Sequence, residues 1–224
     1  MKIVAFNGSP SGKSSATNRI LEAFLEGAEM AGAEIMNYQL IDYQIEQCKG
    51  CFACWFQTPG KCILADDMKP LLDDYQTADI VCFGSPVFSW NMTGLLKNFV
   101  DRLVPLKSPL MIEQSGNFDM ADAKKREQKY VAVSNCGFPG DNNFAIIKAA
   151  FSICNPTLEI YRNCGKLLKS KQETVQPIVE KYLAVVKKAG YEMISTGDVS
   201  EETKAALDMP LMTTAEYVQF LGMR

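Results

Sequence analysis

The sequence contains no histidine among its 224 residues. This absence removes the side chain that most often serves as a general base near neutral pH. It also excludes Ser-His and Cys-His nucleophile pairs and every zinc site that needs an imidazole ligand. Chemistry on this chain must therefore be carried by a cysteine, a carboxylate, a tyrosine or a bound cofactor.

An excess of basic residues and long apolar runs are also lacking. The chain has 23 Lys and Arg residues against 26 Asp and Glu residues, for a formal net charge of −3, so nucleic acid is not expected as a partner. No apolar run approaches the roughly 18 residues of a membrane span, and the N-terminal run is shorter than the core of a secretory signal. We therefore expect a cytoplasmic protein without a membrane span.

Short apolar runs typical of buried strands alternate with helical patterns along most of the chain. Strands are predicted at residues 2–7, 34–41, 79–84, 130–134 and 157–162, and helices at 15–31, 66–75, 92–104, 141–153 and 173–189. Five strand–helix repeats imply an α/β fold with a doubly wound parallel sheet. Five strands fit the flavodoxin-like order 2-1-3-4-5.

One domain is predicted for residues 1–194, with a polar loop or excursion at 106–127. Residues 195–224 are expected to form a C-terminal extension packed on that domain. Asp66 is a candidate N-cap of the helix at 66–75, and Gly190 is a candidate C′ residue that ends the helix at 173–189.

Ligands of open parallel sheets bind beyond the carboxyl ends of the strands, and the loop after the first strand has the chemistry of a phosphate site. It carries free N–H groups at a helix start and several hydroxyl groups, at Ser9, Ser11, Ser14, Ser15 and Thr17. Its Gly12-Lys13-Ser14 imitates the nucleotide-binding P-loop, but Gly8 lies one residue too close for that motif. Asp79 starts a strand, whereas a P-loop enzyme needs an aspartate at a strand end. The loop therefore favours a single terminal phosphate.

The loop after the third strand and the helix that follows it carry a longer and more specific motif. It reads SPVFSWNMTGLLKNFVDR from Ser85 to Arg102. Together with the Gly-Ser-Pro and Ser-Ala-Thr of the first loop, it resembles the flavodoxin-like NAD(P)H-dependent FMN reductases over about residues 1–165. On physical grounds too, the flat tricyclic isoalloxazine ring of FMN would pack well against aromatic and proline side chains.

The resemblance implies an FMN site made by three loops. The phosphate would be bound at Ser9, Ser11, Ser15, Ala16 and Thr17, with Ser14 in the same hydroxyl set. The ring would be lined by Pro86, Val87, Phe88, Ser89 and Trp90 and closed by Asn135, Cys136 and Gly137. No catalytic side chain is needed, because hydride transfer to the flavin requires stacking geometry and not a protein acid or base.

Four cysteines follow the second strand within a loop at residues 45–65: Cys48, Cys51, Cys54 and Cys62. The first three have the compact spacing typical of [4Fe–4S] ligation, and the loop resembles that of the iron–sulfur flavoproteins within the same fold family. Three occupants stay open: a [4Fe–4S] cluster, redox-active thiols without metal, and zinc.

These features predict an FMN-dependent oxidoreductase that takes electrons from NAD(P)H and passes them to a quinone, a flavin or another small or protein acceptor. The alternative is an FMN protein, with or without the cluster, that transfers electrons without using nicotinamide. The family resemblance implies a homodimer or homotetramer.

Overall fold

The computed structural model describes residues 1–114, 116–122 and 127–222. Part of the expected excursion, at residues 115 and 123–126, and the last two residues of the expected extension, 223–224, lie outside the described residues.

A five-stranded sheet forms the centre of the molecule, in the order β2-β1-β3-β6-β7 with every neighbouring pair parallel. Its strands are β1 Lys2–Asn7, β2 Glu34–Gln39, β3 Ile80–Pro86, β6 Lys129–Asn135 and β7 Leu158–Arg162. Counted within this sheet alone, the order is 2-1-3-4-5, which confirms the predicted flavodoxin-like topology. The central strands are buried on both faces, as their continuous apolar runs require.

Helices cover both faces of the sheet. They are α1 Ala16–Met30, α2 Ala53–Phe56, α3 Met68–Thr77, α4 Gly94–Asp101, α5 Ala145–Phe151, α6 Gln176–Ser195, α7 Glu201–Asp208 and α8 Thr214–Phe220. One hydrophobic core joins the sheet to α1 and α6, and a second joins its other face to α3, α4 and α5. None of the helices in the described ranges is long and apolar enough to cross a membrane.

The polar segment expected as a loop or excursion contains a two-stranded antiparallel hairpin, β4 Lys107–Gln114 and β5 Asn117–Asp122. Its register is irregular between Lys107 and Met111. Several large apolar side chains of the hairpin are exposed, at Leu110, Met111, Ile112 and Phe118. In β4 the three apolar residues are consecutive, so this strand lacks the alternation by which an exposed strand is recognised.

The prediction that Gly190 ends a helix is wrong. Helix α6 continues through Gly190 to Ser195, because this glycine allows α6 to approach α1. A Cβ atom at Gly190 would lie 1.9 Å from the Phe24 carbonyl oxygen, and one at Gly27 would lie 1.8 Å from the Lys187 carbonyl oxygen. The two glycines thus let two helix backbones touch, a role that sequence alone does not distinguish from a helix stop.

The prediction for Asp66 is also wrong in its detail. Helix α3 begins two residues later, at Met68, with Asp67 at the N-cap position. The Asp66 carboxylate does accept the Met68 N–H at 3.1 Å, but its main partner is the guanidinium of Arg102.

Helices α7 and α8 follow α6 and pack against the rest of the chain. Tyr217 of α8 is fully buried, and its hydroxyl donates to the Gly137 carbonyl oxygen at 2.7 Å. The buried guanidinium of Arg162 donates to the carbonyl oxygens of Leu207 and Met209. These bonds connect residues 195–222 to the ends of β6 and β7.

Candidate functional site

Three loops meet at the carboxyl edge of the sheet, after β1, β3 and β6. The Gly8 N–H donates to the Gly84 carbonyl oxygen at 2.7 Å, and the Thr93 hydroxyl donates to the Gly8 carbonyl oxygen at 2.6 Å. The Val87 N–H donates to the Asn135 carbonyl oxygen at 2.8 Å. The structure therefore brings together the three predicted loops.

The first loop ends in the start of α1. Ser15 caps the helix, since its hydroxyl oxygen accepts the Asn18 N–H at 3.0 Å. The N–H groups of Ala16 and Thr17 begin the helix, where no earlier helical carbonyl can accept them. They lie at the positive end of the helix dipole, which favours an anion. Ser9 and Ser15 are buried beside this start, whereas Ser11 and Ser14 are exposed.

The Thr17 side chain lies differently from the expectation of a phosphate ligand. Its hydroxyl donates to the Asn135 amide oxygen at 2.6 Å and is buried. A hydroxyl has one proton to donate, so the Thr17 side chain connects the first loop to the third. Its backbone N–H stays available to an anion.

A buried amide network lies beneath the first loop. The Asn7 side-chain amide donates to Gln39 at 2.7 Å, and the Gln39 amide donates to Asn18 at 2.9 Å. The Asn7 amide oxygen also accepts the Ser9 N–H at 3.0 Å. Sequence reasoning missed this support, although a polar Asn7 at the end of a buried apolar run was its visible signal.

The second loop forms a tight turn. Phe88 and Asn91 exchange backbone hydrogen bonds of 2.9 and 3.0 Å. The two central residues, Ser89 and Trp90, have φ angles of +46° and +65°, as in the type I′ turns that favour Asn-Gly. The side chains of Phe88 and Trp90 remain 53% and 63% exposed. The turn thus holds two aromatic rings at the edge of the sheet, in a backbone conformation that bulky residues rarely adopt.

Two residues of the third loop, Cys136 and Gly137, make contacts that hold it in place, and one of these contacts comes from helix α8. Cys136 is buried, and its thiol donates to the Phe138 carbonyl oxygen at 3.2 Å. Burial raises the pKa of Cys136 to about 11, so the group stays a thiol near neutral pH. The bond from Tyr217 holds the Gly137 carbonyl oxygen. Sequence reasoning had no local signal for this contact, because it joins residues 80 positions apart.

The four predicted cysteines line one cavity of about 320 Å³. Cys48 and Cys51 are exposed, Cys62 is half-buried and Cys54 is buried. Burial raises the pKa of Cys54, and the neighbouring thiols Cys62, Cys51 and Cys48 add to this rise. In the described part of the chain no three cysteine, aspartate or glutamate side chains converge at metal-ligand spacing. The four thiols therefore line one space but are not drawn together at a single point within it.

A buried ion pair borders the same cavity. Arg102 also lines it and makes a bidentate pair with Asp66, at 2.5 and 3.1 Å. The two side chains are 1% and 4% exposed. Burial alone would raise the pKa of Asp66, but hydrogen bonds from Arg102 and from two backbone N–H groups outweigh burial and hold that pKa below its usual range. The sequence gives no signal for this pair beyond the motif in which Arg102 lies.

This arrangement defines a class of protein. At the carboxyl edge of a doubly wound parallel sheet lie a helix N-terminus with free N–H groups and a turn with two exposed aromatic rings. Flavodoxin-like flavoproteins have this arrangement. The chain belongs to the family described as NADPH-dependent FMN reductase, whose model matches residues 1–137.

Curated relatives add a second likeness. The chain is 39% identical over 102 residues to an iron-sulfur flavoprotein of Archaeoglobus fulgidus, covering 46% of this chain and 48% of the relative. It is 33% identical over 107 residues to an iron-sulfur flavoprotein of Methanosarcina thermophila, covering 48% of this chain and 54% of the relative. The chain thus spans about half the length of the curated relatives it matches.

Solved structures share the fold at low identity. An NAD(P)H:quinone oxidoreductase from Methanothermobacter marburgensis has a TM-score of 0.57 at 15% identity, over 86% of this chain and 95% of its own. An FMN-dependent NADH-azoreductase from Bacillus anthracis, in complex with FMN, has a TM-score of 0.61 at 14% identity, over 87% and 100%. At such identities these structures show the fold alone.

Proposed function

We propose that this protein is an FMN-dependent oxidoreductase that takes electrons from NAD(P)H and passes them to a second acceptor. The observation that carries the proposal is the hydrogen-bonded meeting of three loops, after β1, β3 and β6, at one edge of the sheet. FMN is the cofactor of the family to which the chain belongs. Bound FMN would supply the redox chemistry, which requires no histidine on the chain.

The first loop fits a phosphate. The Ser9 and Ser15 hydroxyls and the N–H groups of Ala16 and Thr17 would bind it with neutral donors and the helix dipole. Because Ser15 caps α1 with its oxygen, its proton remains free to donate. Ser11 and Ser14 are exposed, and Ser11 would bind an outer phosphate oxygen. The Ser14 hydroxyl donates to the Ser11 carbonyl oxygen at 2.9 Å and would reach the phosphate only by giving up that bond.

The second and third loops fit a flat ring. Phe88 and Trp90 would pack on its face, with Pro86, Val87 and Ser89 supplying the rest of the wall. Asn135, Cys136 and Gly137 would close the opposite edge, with Cys136 contributing volume and not charge. The four cysteines Cys48, Cys51, Cys54 and Cys62 would hold a [4Fe–4S] cluster, which supports one-electron transfer to an acceptor.

The proposal is tested on protein purified without oxygen and loaded with FMN. Flavin absorbance is followed after addition of NADH or NADPH, and a quinone or free flavin is then added as acceptor. We expect one nicotinamide to bleach the flavin and the acceptor to restore its absorbance over repeated turnovers. A protein that binds FMN but is reduced by neither nicotinamide would instead be an electron carrier.

The cluster is tested separately. Iron and sulfide are measured after anaerobic reconstitution, in the wild type and in Cys51→Ser, with Cys82→Ser as the matched control. Cys82 is a fully buried thiol of β3, outside the cysteine cavity. We expect Cys51→Ser to lose iron and keep FMN. If Cys51→Ser retains iron, Cys51 does not belong to the ligand set. Zinc bound by the wild type in place of iron would favour a zinc site.

We also propose that the protein is a homodimer or homotetramer that uses the β4–β5 hairpin as an interface. The hairpin exposes Leu110, Met111 and Phe118, and the pairing of Phe118 with Glu113 places Met111 and Phe118 on the same face. Exposed apolar patches often mark interfaces. Replacing Met111 with Lys should lower the mass measured by light scattering, because a charge would be buried at the contact. Replacing the exposed Met209 with Lys serves as the control, and an unchanged mass in Met111→Lys would place the interface elsewhere.

A further inference from the structure

Arg102 has a hydrogen-bond donor that the protein does not use. Its Nη1 and Nη2 atoms bind the Asp66 carboxylate, and Nη1 also donates to the Glu46 carbonyl oxygen at 2.6 Å. Its Nε–H is fully buried and has no acceptor in the described ranges of the chain. An unsatisfied buried donor destabilises the folded protein, and more so on a charged group, so this atom calls for an explanation.

The cavity lined by the four cysteines offers an explanation for the unpaired Nε–H of Arg102. Arg102 forms part of its wall together with Cys62 and Cys54. The Cys62 side chain lies within hydrogen-bonding reach of the Arg102 guanidinium. A sulfur-rich anion in the cavity would offer the guanidinium a stronger acceptor on this side than a neutral thiol does.

We propose that Arg102 is a positioning residue that donates a hydrogen bond from Nε to a sulfur of an anionic iron–sulfur cluster held in this cavity. This inference rests on the cluster proposed above. Asp66 holds the guanidinium plane by its two parallel bonds, so that Nε–H is kept at the cavity wall. Hydrogen bonds and nearby positive charge both stabilise the more negative, reduced form of a cluster and raise its reduction potential.

Substitutions of Arg102 and of Asp66 should shift the midpoint potential of the cluster in opposite directions. Arg102→Lys keeps the positive charge but loses the Nε–H donor, so the midpoint potential of the cluster should become more negative. In Asp66→Asn the amide oxygen can still accept one Arg102 bond and hold the guanidinium in place, while a negative charge beside the cavity is removed, so the potential should become less negative. A merely structural role for the pair would move both variants in the same direction.

The experiment measures the midpoint potential by spectroelectrochemistry on anaerobically reconstituted protein, together with iron per chain and the rate of iron release to a chelator. Arg102→Lys should release iron about tenfold faster, the usual scale for a lost outer-shell hydrogen bond, with FMN content unchanged. Arg162→Lys is the matched control, because Arg162 is equally buried, also has an unpartnered Nε, and lies outside the cavity. It should leave potential and release rate unchanged.

Each outcome decides between the proposals. If the wild type binds iron and Arg102→Lys has the same potential and release rate, the inference for Arg102 fails while the cluster stands. If the wild type binds FMN but no iron, the cluster fails and the inference fails with it. If the two pair variants shift the potential in the same direction, the hydrogen-bond role is overturned.

Discussion

Ser89 and Trp90 occupy a region of backbone conformation that costs a residue with a Cβ atom about 1–2 kcal/mol. Such strain persists only where surrounding structure imposes it, and it is concentrated at functional sites. Here the imposed turn presents the rings of Phe88 and Trp90 to solvent. The strained turn is therefore the feature that keeps the Phe88 and Trp90 rings exposed.

Trp90→Gly should separate stability from binding. Glycine adopts positive φ without strain, so the flavin-free protein should be unchanged or more stable by about 0.5–1 kcal/mol. FMN affinity should fall by about 1 kcal/mol, roughly fivefold, because an aromatic contact is lost. Thermal unfolding and fluorescence titration with FMN measure the two effects.

Ser89→Gly is the matched control for this turn. It relieves the same kind of strain at φ +46° and removes no aromatic ring. It should gain stability without losing affinity. Equal losses of affinity in both variants would show that turn rigidity, and not the Trp90 ring, supports binding.

Asp66 makes stability depend on pH in a defined window. Its folded pKa lies below its usual value, so its stabilisation is present above the unfolded pKa of about 3.9. This stabilisation is lost as the pH falls through the lower folded pKa. Asp66→Asn should cost about 3 kcal/mol at pH 6–7, because it leaves Arg102 buried without its carboxylate, and this deficit should shrink below about pH 4.

Urea unfolding from pH 7 to pH 2.5 measures this deficit. The control is Asp73→Asn, whose carboxylate pairs with Lys69 at the surface and should change stability by less than about 1 kcal/mol. A deficit of Asp66→Asn that stays constant down to pH 2.5 would contradict the lowered pKa.

At the scale of elements, the contact of α1 with α6 depends on two glycines. Gly190→Ala would place a Cβ 1.9 Å from the Phe24 carbonyl oxygen, so the helices must separate. Overpacking of this kind costs about 1–3 kcal/mol and occasionally more. We expect a loss of at least about 2 kcal/mol in chemical denaturation, compared with Gly94→Ala, which has open space around its Cβ at the start of α4. A Gly190→Ala protein as stable as the Gly94→Ala protein would contradict the close contact.

Element positions were largely predictable because each central strand is a continuous apolar run. β1 matches its predicted range of residues 2–7, and β7 starts one residue later than expected. The hairpin at Lys107–Asp122 was not recognised, since its exposed strands mix charged and apolar residues without a clear period. Gly190 was misread because a glycine that ends a helix and a glycine that admits a neighbouring helix look the same in one sequence.

The site was predictable only where its chemistry is local in sequence. The loops containing Ser9, Trp90 and Cys136 were assigned to one place, since strand ends of a parallel sheet share an edge. The contacts that hold those loops in position join distant residues, as in the bond of Thr93 to Gly8 or of Arg102 to Asp66. No periodicity or motif encodes such pairs.

At the scale of the whole molecule, the C-terminal helices reach the third loop through Tyr217. Tyr217→Phe keeps the ring stacked on Phe220, whose centroid lies 5.9 Å away, and removes only the donor to the Gly137 carbonyl oxygen. We expect a loss of about 1 kcal/mol in stability and weaker FMN binding, measured by denaturation and titration. Tyr191→Phe, at an exposed tyrosine, should change neither, and unchanged FMN affinity in Tyr217→Phe would separate the extension from the site.

Helix α4 joins the two sites along one rigid axis. Thr93, which caps its start, holds the first loop, and Arg102, at its C-cap, lies in the wall of the cysteine cavity. Eight helical residues span about 12 Å, and one added residue would advance Arg102 by about 1.5 Å and rotate it by about 100°. Helix α4 therefore fixes the distance between the first loop and the cysteine cavity, and the direction from which Arg102 faces that cavity. With FMN and a cluster bound as proposed, its length would set the distance that an electron crosses.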